Sequence, residues 1–288
     1  MIKQKIASSD DKEALYFILS LDVVVGALAV GLFAVTLLNV HPNPVWWIIL
    51  PLAVWTVYTS DHLIDGFSQN KKGSIYRHWF HFRHRNILIP AIIITSVIAG
   101  ILTLIYLEMA ILKWGLVLSA MISVYFLIIF SFKKKGYLYF QKELFIAFAY
   151  TAGIFLAPLV WYGQIPCFSK IIPIFILFIL AWVETVMISY FDYNLDVSDE
   201  NISFSVQYGK QKTRKVLILI LIVTALLIMA FLFPLHKIKD FIPLLIELVM
   251  TIILFIVVYT PEYFQRNHRY RWIGEIVFWM PGLLVLIR

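Results

Sequence analysis

"VWWIILPLAVWTVYTSDHLIDGF" runs from Val45 to Phe67. Its first half suits hydrocarbon, yet it ends in Asp61 and Asp65, four residues apart and so on one face of a helix. Like charges at that spacing destabilise a helix, and poorer solvation at a membrane edge raises the cost. A partner of opposite charge must offset it.

The rest of the chain supports a membrane setting for this stretch. Its 288 residues are 61% hydrophobic and 14% charged, with a mean hydropathy of +0.87. That leaves too little polar sequence to cover a soluble globule of this size. Nine apolar spans are read at about 16–38, 45–66, 86–107, 111–131, 143–162, 170–191, 215–235, 240–260 and 271–288. Each can cross an apolar layer of about 30 Å as a helix, the last near the short limit. Lipid leaves no water for exposed backbone groups, so the expected fold is all-α, a nine-helix polytopic bundle formed by one domain over 1–288. The N-terminal segment "MIKQKIASSDDKEALYF" has no apolar region before residue 16, so no cleavable leader is expected. The single cysteine, Cys167, excludes an internal disulfide framework.

Charge placement predicts the orientation. With a cytoplasmic N-terminus, only Lys113, Lys170, Lys237, Lys239 and Arg288 of the 24 Lys and Arg residues fall on the opposite side. The bias predicts a cytoplasmic N-terminus and an outward C-terminus, in the plasma membrane. It also argues against nucleic acid, because the basic residues punctuate helix ends instead of forming a stripe, and anionic membrane lipid is their simplest partner. Two long polar connections form cytoplasmic caps at about 67–86 and 191–214. Long connections on a rigid scaffold are common places for function.

The second cap repeats the theme of the first, with Asp192 and Asp196 again four residues apart. Two carboxylate stripes at one membrane face suit divalent cations that bridge to another anion. Oxygen-only ligation with room for water suits magnesium. A diphosphate is the natural missing ligand, since metal would stabilise departing pyrophosphate. Arg77 and Lys210 are chosen as candidate contacts for its oxygens, although both also serve as topology determinants. Asp22, a few turns inside the first span, either orients an acceptor or pairs with Lys or Ser in the bundle. Tyr58 and Tyr193 are candidates for an aromatic wall, against a simple packing role. The cluster "RHWFHFRHR", with His78, His81 and His84, reads as an interfacial basic turn, because no acidic or cysteine complement gives it zinc geometry.

The stretch "DYNLDVSDENISFSVQYG", Asp192 to Gly209, resembles the second motif of the UbiA superfamily of intramembrane prenyltransferases, approximately D-x-x-x-D-x-x-x-G-x-x-T-L-P-V-x-x-G. Asp192, Asp196, Val206 and Gly209 match, and Ser203 stands for the threonine. Glu200 replaces a glycine and Ser205 the proline. The first family motif, N-D-x-x-D-x-x-x-D, is matched at its last two aspartates by Asp61 and Asp65, while Val57 and Tyr58 stand where asparagine and aspartate are usual. A weaker echo is Lys134 in the basic turn before the fifth span and Gly153 inside it. The resemblance covers nearly the full length. It implies Mg2+-dependent transfer of a prenyl group from a prenyl diphosphate to a hydrophobic or aromatic acceptor, with Asp61, Asp65, Asp192 and Asp196 as metal ligands. Arg77, Lys134 and Lys210 would contact substrate. A UbiA-type terpene cyclase keeps the same ionisation step, and a non-catalytic binding or transport protein for anionic lipid accounts for the helices without chemistry.

Overall fold

The computed structural model of the chain describes residues 18–68, 76–132, 142–199, 201–232 and 238–287. Among these residues there are only helices and connections: α1 (Leu21–Leu38), α2 (Trp46–Ser68), α3 (Tyr76–Arg83), α4 (Arg85–Tyr106), α5 (Met109–Phe132), α6 (Lys142–Tyr162), α7 (Phe168–Phe191), α8 (Tyr193–Ser198), α9 (Phe204–Tyr208), α10 (Lys210–Leu232), α11 (Ile238–Tyr259), α12 (Pro261–Gln265) and α13 (Arg269–Val277). The all-α expectation holds for a backbone reason, since only a helix satisfies its own amides in lipid.

Among the described residues seven helices are long and apolar enough to cross a membrane: α1, α4, α5, α6, α7, α10 and α11. At 23 residues α2 is long enough as well, but one half of it carries Asp61, His62 and Asp65. The ninth expected span, 271–288, differs. It is split into the nine-residue α13 and a 3-10 segment, Met280–Ile287. Pro281 lacks the amide that would continue the α-helix, and the segment packs so closely on α1 that a Cβ on Gly282 would lie 3.2 Å from that of Ala29. Of the nine expected spans, seven are clear among the described residues, while the second ends in polar residues and the last is broken.

The helices form one bundle. α7 is at its centre, packed against α6, α10, α11 and α13, with Ile176, Leu180, Val183 and Met187 fully buried. α1 packs against α2, α6 and the final 3-10 segment. α4 and α5 lie at the periphery, where Ile93, Val97, Ile101, Leu104, Leu116 and Val124 are exposed. Such apolar outer faces belong against lipid tails, and the chain is an integral membrane protein. Pro51, Pro90, Pro173 and Pro243 fall in the first two turns of their helices, and Pro158 in the last two turns of α6.

Three local features build the end of the bundle where the acidic pairs meet. Gly66 lets α3 fold back onto α2, since a Cβ there would lie 2.6 Å from the carbonyl oxygen of His78. Gly209, with φ 82° and ψ 146°, joins α9 to α10 in a conformation that L side chains rarely adopt. Between them Ser205, completely buried, donates to the Ser189 carbonyl of α7 at 2.5 Å. Serine thus anchors α9 to α7 at the position where the family motif has proline.

Candidate active site

A polar cavity of about 230 Å³ opens at this end of the bundle. α2 contributes Tyr58, Asp61 and Asp65, the junction of α7 and α8 contributes Asp192, and α8 contributes Asp196. Two aspartate pairs more than a hundred residues apart in sequence therefore share one space. Asp65, Asp192 and Asp196 are buried.

The question raised by Asp61 and Asp65 has its answer on α6. Lys142 Nζ donates to Asp65 Oδ2 at 2.9 Å and lies 3.7 Å from Asp61 Oδ1. One ammonium sits between two carboxylates. His78 Nε2, 3.8 Å from Asp65 Oδ2, approaches from α3. Across the cavity Arg271 donates to Asp192 Oδ2 at 2.8 Å, and the Tyr270 hydroxyl donates to Asp192 Oδ1. Asp196 accepts from Asn201 Nδ2 at 3.4 Å. Burial pushes its carboxyl up to about 6, opposed by a hydrogen bond from Ser203 and reinforced by the charge of Asp192. Glu143 fixes the neighbouring loop: its Oε1 accepts from the Phe204 amide at 2.6 Å.

Asp22 is completely buried and its partner is Arg77, with NH2 3.5 Å from Oδ2. This differs from the expected Lys or Ser, because the folding of α3 over the bundle brings in a residue from the first cap. Arg77 also meets His62 Nε2 at 3.4 Å. Asp22, Arg77 and Tyr58 line the cavity, but Lys210 and Tyr193 do not. Lys210 lies over the Tyr190 ring, 5.2 Å from its centroid. Lys134 and Glu200 lie outside the described residues. Of the three histidines of "RHWFHFRHR", His78 lines the cavity. His81 is completely buried and hydrogen-bonds the Arg77 carbonyl through Nδ1 at 2.8 Å. The reading of this stretch as a merely interfacial turn misses that packing. Among the described residues no group of three or more His, Cys, Asp or Glu is arranged around a metal position.

Lys142, Arg271, Glu184 and Glu275 also line the cavity, and sequence reading did not single them out. For Glu184 a signal existed, since an acid well inside a span is unusual.

A second cavity, of about 420 Å³, adjoins the first and shares Tyr58, Asp61, Ile146 and Tyr150 with it. Its walls are α2, α4, α5 and α6, with Trp46, Leu50, Val54, Ile111 and Phe145 among them. Tyr58 and Asp61 stand at the junction of a charged chamber and an oily one.

Two solved structures share this arrangement of helices. They are of a UbiA homolog from Archaeoglobus fulgidus, one bound to GPP and Mg2+ and the other to DMAPP and Mg2+. Their TM-scores are 0.65 and 0.63, at 12% identity, over 95% and 96% of this chain and 100% of theirs. The chain has the UbiA fold. No protein-family model matches the sequence, and no curated protein matches it. At 12% identity the likeness is one of backbone architecture, preserved while nearly all side chains differ.

The cavity's chemistry fits magnesium. Its four aspartates offer hard oxygen donors, and Mg2+ is usually held by one or two carboxylates together with substrate phosphates and water, so no complete protein cage is required. Lys142 and Arg271 place positive charge against Asp65 and Asp192.

Proposed function

We propose that this chain is a divergent UbiA-type prenyltransferase, which uses Mg2+ and a prenyl diphosphate to prenylate a membrane-accessible hydrophobic or aromatic acceptor. The observation that carries the reading is the junction of the two cavities at Tyr58 and Asp61. A prenyl diphosphate is itself a charged head on an apolar tail. The acidic chamber suits the metal-bound head, and the adjoining apolar chamber suits the tail. The solved UbiA homolog binds GPP and DMAPP with Mg2+, which supports this assignment.

Asp61, Asp65, Asp192 and Asp196 would hold magnesium, which when bound neutralises diphosphate oxygens and assists departure of pyrophosphate. Arg77, Lys142 and Arg271 line the same chamber and are suited to the remaining phosphate oxygens, the arginines as forks and the lysine as a point charge. The apolar wall keeps water from the carbon that gains positive charge. Tyr58 lines both chambers, and an aromatic ring at that boundary would be suited to stabilise the carbon that gains positive charge. Lys210 lies over Tyr190 and does not line the chamber.

The test is to incubate the purified chain with Mg2+ and isoprenoid diphosphates of several lengths. Pyrophosphate release that requires both the metal and an added acceptor is the expected result. An acceptor-independent cyclic product would make the protein a terpene cyclase, and tight lipid binding without release would make it a binding protein.

A further inference from the structure

The apolar chamber has a definite length. Trp46, Leu50, Val54 and Tyr58 line it at intervals of four residues, so they form one stripe along α2. From Tyr58 at the junction to Trp46 the stripe covers twelve residues, about 18 Å of helix. Trp46 closes the far end. It is buried, and its ring packs edge-on against Trp47 and Trp161, with centroids 4.7 and 5.5 Å away.

An isoprene unit advances about 5 Å over four carbon–carbon bonds of about 1.5 Å. From a C1 beside Tyr58, a slightly bent tail of four units therefore ends against Trp46. Two units reach only about halfway, and six overrun the chamber by about 12 Å. The volume agrees, since about 420 Å³ takes about four units at close-packed density, roughly 100 Å³ each.

Two glycines keep the outer half of the chamber open. Gly100 on α4 and Gly115 on α5 line it, and a Cβ at either position would have no heavy atom within 4 Å. Glycine weakens a helix interior, and here no crowded neighbour requires it, in contrast to Gly66. The two stand at one level: Gly100 is six residues before the end of α4 at Tyr106, and Gly115 is six after the start of α5 at Met109. Their depth follows from two hydrogen bonds. The Thr56 and Thr95 hydroxyls meet at 2.9 Å, and Asn43 Nδ2 donates to the Tyr106 carbonyl at 2.8 Å. The order of these partners makes α2 and α4 antiparallel, so Gly100, five residues beyond Thr95, is level with Pro51, about 10 Å from Tyr58 along the axis. That is the depth two isoprene units reach.

Resting on the prenyl-transfer reading, we infer that the chamber selects a prenyl diphosphate with a tail of four isoprene units, Gly100 and Gly115 giving passage to the third and fourth units and Trp46 stopping a fifth. These three are specificity-determining residues for chain length. A shorter tail leaves the outer walls without contacts, and a longer one must fold back against packed indoles.

The experiment measures binding of prenyl diphosphate analogues to the full chain in lipid nanodiscs with Mg2+. Geranyl, farnesyl, geranylgeranyl and hexaprenyl analogues carry a methylene group in place of the oxygen between C1 and phosphorus, so none ionises. The geranylgeranyl analogue is expected to bind tightest, about tenfold tighter than the geranyl and hexaprenyl ones. Gly100→Leu and Gly115→Leu should each lower the geranylgeranyl-to-geranyl ratio about tenfold, and Gly115→Ala, which adds one methyl group to open space, should move it far less. Leucine is the better helix former, so an undiminished melting temperature shows that the variants fold. Tightest binding at any other length, or a ratio unmoved by both leucine variants, overturns the inference and leaves the chamber to membrane acyl chains. Absence of pyrophosphate release from every natural diphosphate, with the order of binding preserved, would instead remove the transfer reading and leave the length assignment intact.

Discussion

Lys142 stands between two carboxylates of α2, 2.9 Å from Asp65 and 3.7 Å from Asp61. The ammonium and a divalent cation would compete for the same oxygens. Lys142→Met should leave Asp61 and Asp65 repelling each other, and breaking a mostly buried pair in this way costs on the order of 3 kcal/mol. Without metal the variant should therefore melt below the parent. Added Mg2+ should raise its melting temperature more than it raises the parent's, because the competitor is gone. Thermal unfolding in EDTA and in Mg2+ reads both effects, and an equal Mg2+ shift in the two proteins would show that Lys142 and metal do not share a site.

Replacing Asp61, Asp65, Asp192 or Asp196 by Asn keeps size but removes a hard anionic donor. Each change should lower metal-dependent pyrophosphate release about a hundredfold, close to 3 kcal/mol of barrier. Asp199→Asn should matter much less, since Asp199 does not line the chamber. Four folded variants with the parent's turnover and magnesium dependence would dismiss the metal assignment.

Gly66→Ala would place a methyl group 2.6 Å from the backbone oxygen of His78. Backbone on a packed helix cannot step aside as a flexible side chain can, so α3 should be displaced and stability should fall by about 1–3 kcal/mol. Arg77 would move with it, away from Asp22. Activity is expected to drop further than the melting temperature suggests, which parallel unfolding and pyrophosphate-release measurements would reveal.

Burial pushes His81 down to about 4, with its hydrogen bond to the Arg77 carbonyl opposing that shift and the Arg77 charge adding to it. The unfolded chain binds this proton near pH 6.5 and the folded chain resists it. Stability from neutral His81 is thus complete above about pH 6.5, and falls with pH until about 4, by on the order of 3 kcal/mol. Asp196, pushed up to about 6, acts in the opposite sense over part of that window, so the two must be separated by substitution. His81→Leu should flatten the acid limb of the stability profile. An unchanged acid limb would show that His81 does not govern it.

Much of the architecture could be read before any coordinates. The long apolar runs left helices as the only way to satisfy a backbone in lipid, and the expected spans agree with the helices to within a few residues for α2, α4, α6, α7 and α11. The broken end at Met280–Ile287 was not legible, because length and hydropathy say nothing of how closely Gly282 must approach Ala29. The spacing of Asp61 with Asp65, and of Asp192 with Asp196, marked both acidic pairs from local helical periodicity alone.

Tertiary structure decided which residues meet those pairs. Lys142 reads in the sequence as one more basic residue at the beginning of a span, and Arg271 as part of a basic run. Their roles depend on helix packing, which brings α6 to α2 and α13 to α7. The same packing separated Lys210 from the chamber and joined Asp22 to Arg77. Periodicity along one helix determines which side chains share a face. Which faces share a cavity is set by long-range contacts, and no local pattern contains them.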